Sequence, residues 1–136
     1  MKLLMLFCSN FAFATKNKGL DDVADFFEEK QFMDALVGFI HVEEKDQERP
    51  KRIEDNLVKN LKWGARKNNT DTVIVHSFAH LSDSKAEPEF TKNLLDKVTK
   101  RMQNAGFDVT QTPWGYFLDL NIQAPGESLA RVFKSF

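Results

Sequence analysis

Thr72-Val73-Ile74-Val75-His76-Ser77-Phe78-Ala79-His80-Leu81-Ser82 passes from an apolar run into a polar loop, and that passage sets the layout of the chain. Thr72 to Val75 reads as a short, wholly buried strand. Downstream, Pro88 starts a helix in which Phe90, Leu94, Leu95, Val98 and Met102 follow helical spacing, with Gly106 as its stop. Upstream, Pro50 fits the first turn of a helix running to about Lys67. Ile53, Leu57 and Leu61 recur there at every fourth position, and Val58 and Ala65 widen the stripe into one buried face. Asn68-Asn69-Thr70-Asp71 closes that helix as a polar turn.

Working outward, Lys2 to Phe13 reads as extended, with a bend or bulge at Ser9-Asn10. Gly19 falls in the following loop, and Asp21 to Lys30 reads as a short acidic helix carrying Val23, Phe26 and Phe27. Phe32 to Val42 is rich in residues that suit a pleated, buried surface and is the central strand candidate. Glu43 to Arg49 is a charged connection. Phe107 to Thr112 and Gly115 to Ile122 read as two strands of a hairpin separated by Pro113-Trp114. Pro125-Gly126 ends the sheet, and Ser128 caps a final helix through Phe133 with Leu129, Val132 and Phe133 inward. The expectation is an α+β fold: mixed β-sheet layers packed with helices, in a single domain over residues 1–136.

Composition agrees with one compact unit, since 136 residues with 42% hydrophobic content and thirteen Phe can bury a real core. A net charge of −1 gives no global attraction to a polyanion, so any nucleic-acid contact must be local. Lys59, Lys62, Arg66 and Lys67 cluster near the end of the Pro50 helix, where they suit a solvated face complementing the helix dipole or a phosphate contact. Cys8 is the sole cysteine, which excludes an intrachain disulfide and a cysteine-cluster zinc site and points to a reducing cytoplasm. The apolar Leu3-Leu4-Met5-Leu6-Phe7 before Ala12-Phe13-Ala14 imitates a signal peptide but falls short of an apolar region of roughly 7–15 residues. It reads as the first strand. No run approaches the roughly 20 apolar residues that a bilayer crossing needs.

The loop Ser77-Phe78-Ala79-His80-Leu81-Ser82, together with Pro113-Trp114-Gly115-Tyr116-Phe117, resembles the signature of the N-terminal editing domain of archaeal-type threonyl-tRNA synthetases. The likeness extends from Met1-Lys2-Leu3-Leu4 through Ala35-Leu36-Val37-Gly38-Phe39-Ile40 to the C-terminal segment. It implies the fold of the D-aminoacyl-tRNA deacylases, a homodimer, and hydrolysis of serine misattached to threonine tRNA, with no cofactor and no metal. Such hydrolysis needs a water at the ester carbonyl, a stabilised oxyanion and a fixed terminal adenosine. By the resemblance, His80 is the catalytic candidate. The main chain of Ser77, Phe78, Ala79 and Trp114 would hold the adenosine.

An imidazole at His80 can orient a ribose hydroxyl or a water; equally, it can hydrogen-bond its own loop. Two segments depart from the family pattern. Where Tyr-Tyr-Lys typically follows the Pro-Trp-Gly stretch, this chain has Tyr116-Phe117-Leu118, without the second phenol and without the ammonium. Where the family has an acidic residue in the last helix, Arg131 stands, able to contact a phosphate or carboxylate or to lie on the surface. Asp119 and Glu127 are nearby carboxylates with ordinary surface roles open to them. His41 occupies a position that is small and polar in the family and can project toward the amino-acid pocket or be a satisfied buried histidine. His76 and His80 are four apart but not on a helix, so no zinc pair is assigned. Trp114, Tyr116 and Phe117 can stack on an adenine or serve as core.

Two readings follow. One is a freestanding deacylase that binds the aminoacyl end of threonine tRNA and removes serine in trans, alongside a threonyl-tRNA synthetase lacking its own editing domain. The other is a homologue that binds an aminoacyl-adenosine end, a small ligand or a protein partner without hydrolysis.

Overall fold

The structure, a computed structural model, describes residues 1–136. Two long strands, β1 (Lys2–Lys18) and β2 (Glu29–His41), form an antiparallel arm. A 3₁₀ turn at Glu44–Glu48 leads into helix α1 (Pro50–Lys67), then β3 (Thr72–Ser77), α2 (Pro88–Asn104) and β4 (Asp108–Gln111). β5 (Tyr116–Gln123), a 3₁₀ turn at Ser128–Ala130 and β6 (Arg131–Ser135) complete the chain. The sheet has the order β4-β3-β2-β1-β5, with β6 also paired to β1. β3 runs parallel to β2 and β4 parallel to β3, so α1 and α2 serve as the crossover connections that parallel strands require. This is the mixed sheet packed with helices anticipated from the sequence.

Both helices bury their apolar stripes on one face of the sheet. Ile53, Leu57 and Leu61 of α1 and Leu94, Leu95, Val98 and Met102 of α2 close over Leu3, Met5, Leu36, Ile40, Val73 and Val75. The approach of α1 is tight at Gly64, where a Cβ would lie 2.9 Å from both Leu36 Cδ2 and Met5 Sδ. A second cluster, Cys8, Phe11, Phe13, Ala35, Val37, Phe39 and Ile74, occupies the other face. Its membership changes parity along the arm, from Cys8 to Phe11 on β1 and from Ala35 to the flanking Phe32 on β2. The cause is a matched irregularity: Ser9 and Asp34 stand opposite each other outside the ladder, and Asp34 has φ 52°. One residue out of step in each strand keeps the register and flips the face. The bend expected at Ser9-Asn10 is therefore present, with Asp34 as its counterpart.

Three expectations are corrected. Asp21–Lys30 forms no helix; residues 24–28 are irregular and Glu29–Lys30 join β2 opposite Ala14–Phe13. A segment this short is marginal as a helix without a face to bury, and Phe26 and Phe27 are exposed. The hairpin around Pro113-Trp114 does not exist, because β4 and β5 lie on opposite edges of the sheet. β1 has 17 residues, and its second edge is taken by β5 along Asn10–Lys18 and by β6 along Lys2–Leu6. The same open edge explains the third correction. Arg131–Ser135 pairs as a strand instead of continuing a helix from Ser128, with Leu129 and Phe133 exposed.

Candidate functional site

The site grows from the end of β3. Beyond Ser77 the chain can pair only with the end of β2: Phe78 N–H donates to Ile40 O at 2.9 Å and Ala86 N–H to Val42 O at 3.0 Å. Residues 79–85 loop between these tethers, and His41 fastens them. Leu81 N–H donates to His41 Nδ1 at 2.9 Å, which leaves the ring proton on Nε2 to reach Ser84 O at 2.6 Å. Ser82 Oγ donates to Glu43 Oε2 at 2.7 Å and adds a second anchor. His41 is fully buried and outside the cavity lining; it holds the loop from beneath. A His41→Phe substitution strands Leu81 N–H and Ser84 O and should cost about 2 kcal/mol in urea denaturation.

The loop forms one wall of a cavity of about 330 Å³, at the small end of ligand pockets. Ser77 at the end of β3 and Phe78, Ala79 and His80 just beyond it line one side, and Pro113 and Trp114 of the segment that crosses between the sheet edges, with Tyr116, Phe117 and Leu118 of β5, line the other. Gly115 turns this crossing with φ 81°, and its carbonyl accepts from Gly19 N–H at 2.6 Å. The cavity thus joins two stretches 30-odd residues apart in sequence. Arg131 is not among them: it faces Leu6 across the ladder, donates through Nη2 to Pro125 O at 2.8 Å, and lies outside the lining.

His80 is exposed, and its imidazole makes no hydrogen bond within the protein. Its ring is set edge-on to Phe78 at 4.9 Å and stacked with Phe117 at 6.4 Å, so aromatic contacts position it while both nitrogens stay available. Tyr116 differs: its hydroxyl donates to Ala24 O and accepts from Phe26 N–H at 3.0 Å, which commits it to the β1–β2 loop. Leu118 brings an alkyl group to the wall. The main-chain groups of Ala79, His80 and Trp114 make no hydrogen bond within the protein, and they border the cavity.

Deeper in, His76 is 6% exposed and also lines the cavity. Its Nδ1 lies 2.9 Å from Thr112 Oγ1, and Phe39 packs edge-on at 5.2 Å. Burial, reinforced by the neighbouring His80, pushes its pKa down to about 4. The sequence marks His76 only by its spacing from His80, while strand alternation places it on the same face as Ile74 and Phe78. Burial pushes the Cys8 thiol up to about 11, which leaves it unsuited to nucleophilic chemistry. No three His, Cys, Asp or Glu side chains converge on a point that could hold a metal ion. No helix is long and apolar enough to cross a membrane.

The chain is similar to known proteins to differing degrees. A solved structure named c-Myc DNA Unwinding Element Binding Protein matches with a TM-score of 0.72 over 100% of this chain and 99% of that one, at 8% identity, which is a likeness of fold. Threonine–tRNA ligases of Hyperthermus butylicus, Thermococcus onnurineus and Thermofilum pendens are 27%, 27% and 28% identical over 142, 138 and 137 residues. These matches cover 100%, 99% and 99% of this chain but only 23%, 22% and 22% of the ligases, so the chain spans less than a quarter of their length. Residues 1–136 as a whole match the family described as the archaea-specific editing domain of threonyl-tRNA synthetase, and the chain belongs to that family.

Proposed function

We propose that this chain binds the aminoacylated 3′ end of threonine tRNA and hydrolyses misattached serine in trans. The observation that carries the reading is the cavity between the His80 loop and the Thr112–Gly115 crossing. It offers unpaired main-chain donors and acceptors at Ala79, His80 and Trp114 to a nucleoside, and a free imidazole at its rim. Main-chain groups on a fixed loop recognise a nucleoside without side-chain rearrangement, and Phe117, 56% exposed, presents a ring on which a base can stack. His80 then orients the ribose hydroxyl or the attacking water. The active unit is a homodimer, and a threonyl-tRNA synthetase without its own editing domain is the natural partner.

Phe117 and Leu118 favour a second reading, in which the chain binds an aminoacyl-adenosine end without hydrolysing it. Incubation with seryl- and threonyl-tRNA for threonine separates the two. Editing requires selective serine release that His80→Ala slows by about 100-fold. Equal, background release from both substrates by the folded protein would refute hydrolysis, and sedimentation as a monomer at high micromolar concentration would refute the dimer.

A further inference from the structure

His76 is the one buried titratable side chain of the cavity lining that the roles above leave unused. It makes a single hydrogen bond, through Nδ1 to Thr112 Oγ1 at 2.9 Å. Every buried side-chain nitrogen and oxygen of the protein has a partner. Nε2 of His76 has none, so it is an atom in contact with open space, and the open space beside this residue is the cavity.

The direction of the Nδ1 bond fixes which proton Nε2 carries. Thr112 is 5% exposed, and its hydroxyl has no other acceptor in the protein, while its own N–H is spent on Val75 O at 3.0 Å. The contact admits two arrangements, and in the one where the Thr112 hydroxyl donates to Nδ1 the ring's only proton sits on Nε2. The ring has little freedom to turn away, since Phe39 stands at 90° to it at 5.2 Å and Phe78 lies 5.9 Å off. Burial keeps the imidazole uncharged at neutral pH, with a pKa of about 4. A neutral imidazole aimed by a fixed hydroxyl is a donor that does not need to lose a proton to act.

We propose that His76, held by Thr112, donates its Nε2–H to the carbonyl oxygen of the aminoacyl ester bound in this cavity. The inference rests on the reading of the site as an aminoacyl-adenosine pocket. As water adds to the carbonyl carbon, negative charge gathers on that oxygen. The ester bond to the ribose oxygen then breaks, one proton of the water ends on the ribose oxygen, and the other is released as the acid ionises. His76 neither gains nor loses a proton; it stabilises the oxyanion. That is a job which Leu118, with no donor, cannot do.

The test begins with the free protein. Long-range ¹H–¹⁵N correlation of the histidine rings, with the His76 signals assigned from their loss in His76→Phe, should show the Nε2–H tautomer, and a Nδ1–H tautomer overturns the proposal. Adding the amide analogue of 3′-seryl-adenosine should shift the His76 Nε2 resonance. In seryl-tRNA hydrolysis, His76→Phe should lower kcat by roughly 100-fold with KM unchanged. His76→Gln, which keeps an N–H donor, should recover part of that loss. Thr112→Val, which preserves shape and frees the tautomer, should lower kcat by about tenfold and guards against a folding defect in the ring variants. If the parent protein hydrolyses seryl-tRNA and His76→Phe matches it, this role fails and the editing reading stands. If the parent neither binds the analogue nor hydrolyses the ester, both fail together.

Discussion

A Glu43→Gln protein should unfold at markedly lower urea concentration than the parent at neutral pH, with a loss of about 3–5 kcal/mol, and the difference should shrink in acid. Glu43 sits just past the end of β2 and is 6% exposed. Its Oε1 accepts from the Met1 α-ammonium at 2.6 Å, and that ammonium also donates to Asp46 Oδ1 at 3.0 Å and Phe136 O at 2.8 Å. Met1 and Asp46 are fully buried, so the charge balance has little help from solvent. Burial by itself would raise the pKa of Glu43. Hydrogen bonds from the α-ammonium and from Ser82, with the positive charges of Met1 and Lys2, outweigh it and hold the carboxyl down to about 2. A folded pKa below the unfolded value means stability that is present above the ordinary carboxyl range near 4.5 and is lost as pH falls toward 2. The amide variant lacks this dependence. Urea titrations at pH 7, 5, 4 and 3 should therefore converge for the two proteins. A gap that stays constant with pH would show that the carboxylate contributes by shape alone. Because Oε2 also receives the Ser82 hydroxyl, the variant should loosen the His80 loop as well, visible as faster amide exchange at Leu81 and Ser84.

What could be read from the sequence divides along physical lines. Helix α1 spans Pro50–Lys67 as expected, with Ile53, Leu57, Leu61, Val58 and Ala65 buried, because its start signal and its stripe are both local. The same holds for α2 and for β3. The misread segments are those whose conformation is chosen by a distant partner. Asp21–Lys30 lacks a face to bury, and its last residues are drawn into pairing with β1. Arg131–Ser135 looks helical only until the free edge of Lys2–Leu6 is known. In the site, Ser77–His80 was legible because a continuous motif carries it. His76 and Thr112 were not, since they meet only through the parallel β3–β4 ladder, whose last pair is Val75 with Gln111. His41 was visible as a histidine near the site, but its role depends on Leu81 and Ser84, some 40 residues away, reaching it from the loop.

The crossing segment shows the same principle through one glycine. Replacing Gly115 by Ala should cost roughly 2–5 kcal/mol and open the wall of the cavity, for two separable reasons. At φ 81° the residue lies in the left-handed region, where a Cβ costs about 1–2 kcal/mol. That Cβ would also lie 2.5 Å from Val23 Cγ1, an overlap that must be relieved by movement at a cost of about 1–3 kcal/mol. In a hairpin turn only the first cost would apply, because the residue after the turn points to solvent. Here Gly115 passes against the β1–β2 loop and accepts from Gly19 N–H at 2.6 Å and Leu20 N–H at 3.3 Å, so the crossing and the loop are locked together. A Val23→Ala background isolates the two terms: Gly115→Ala should lose less stability there than in the parent, by the amount of the overlap, while the backbone cost remains. Full recovery in that background would mean that the left-handed conformation is dispensable. A neutral Gly115→Ala in the parent, by urea denaturation, would mean that Thr112–Gly115 can reposition freely. Trp114 would then border no fixed cavity, and the fixed geometry on which the proposed nucleoside recognition rests would be lost.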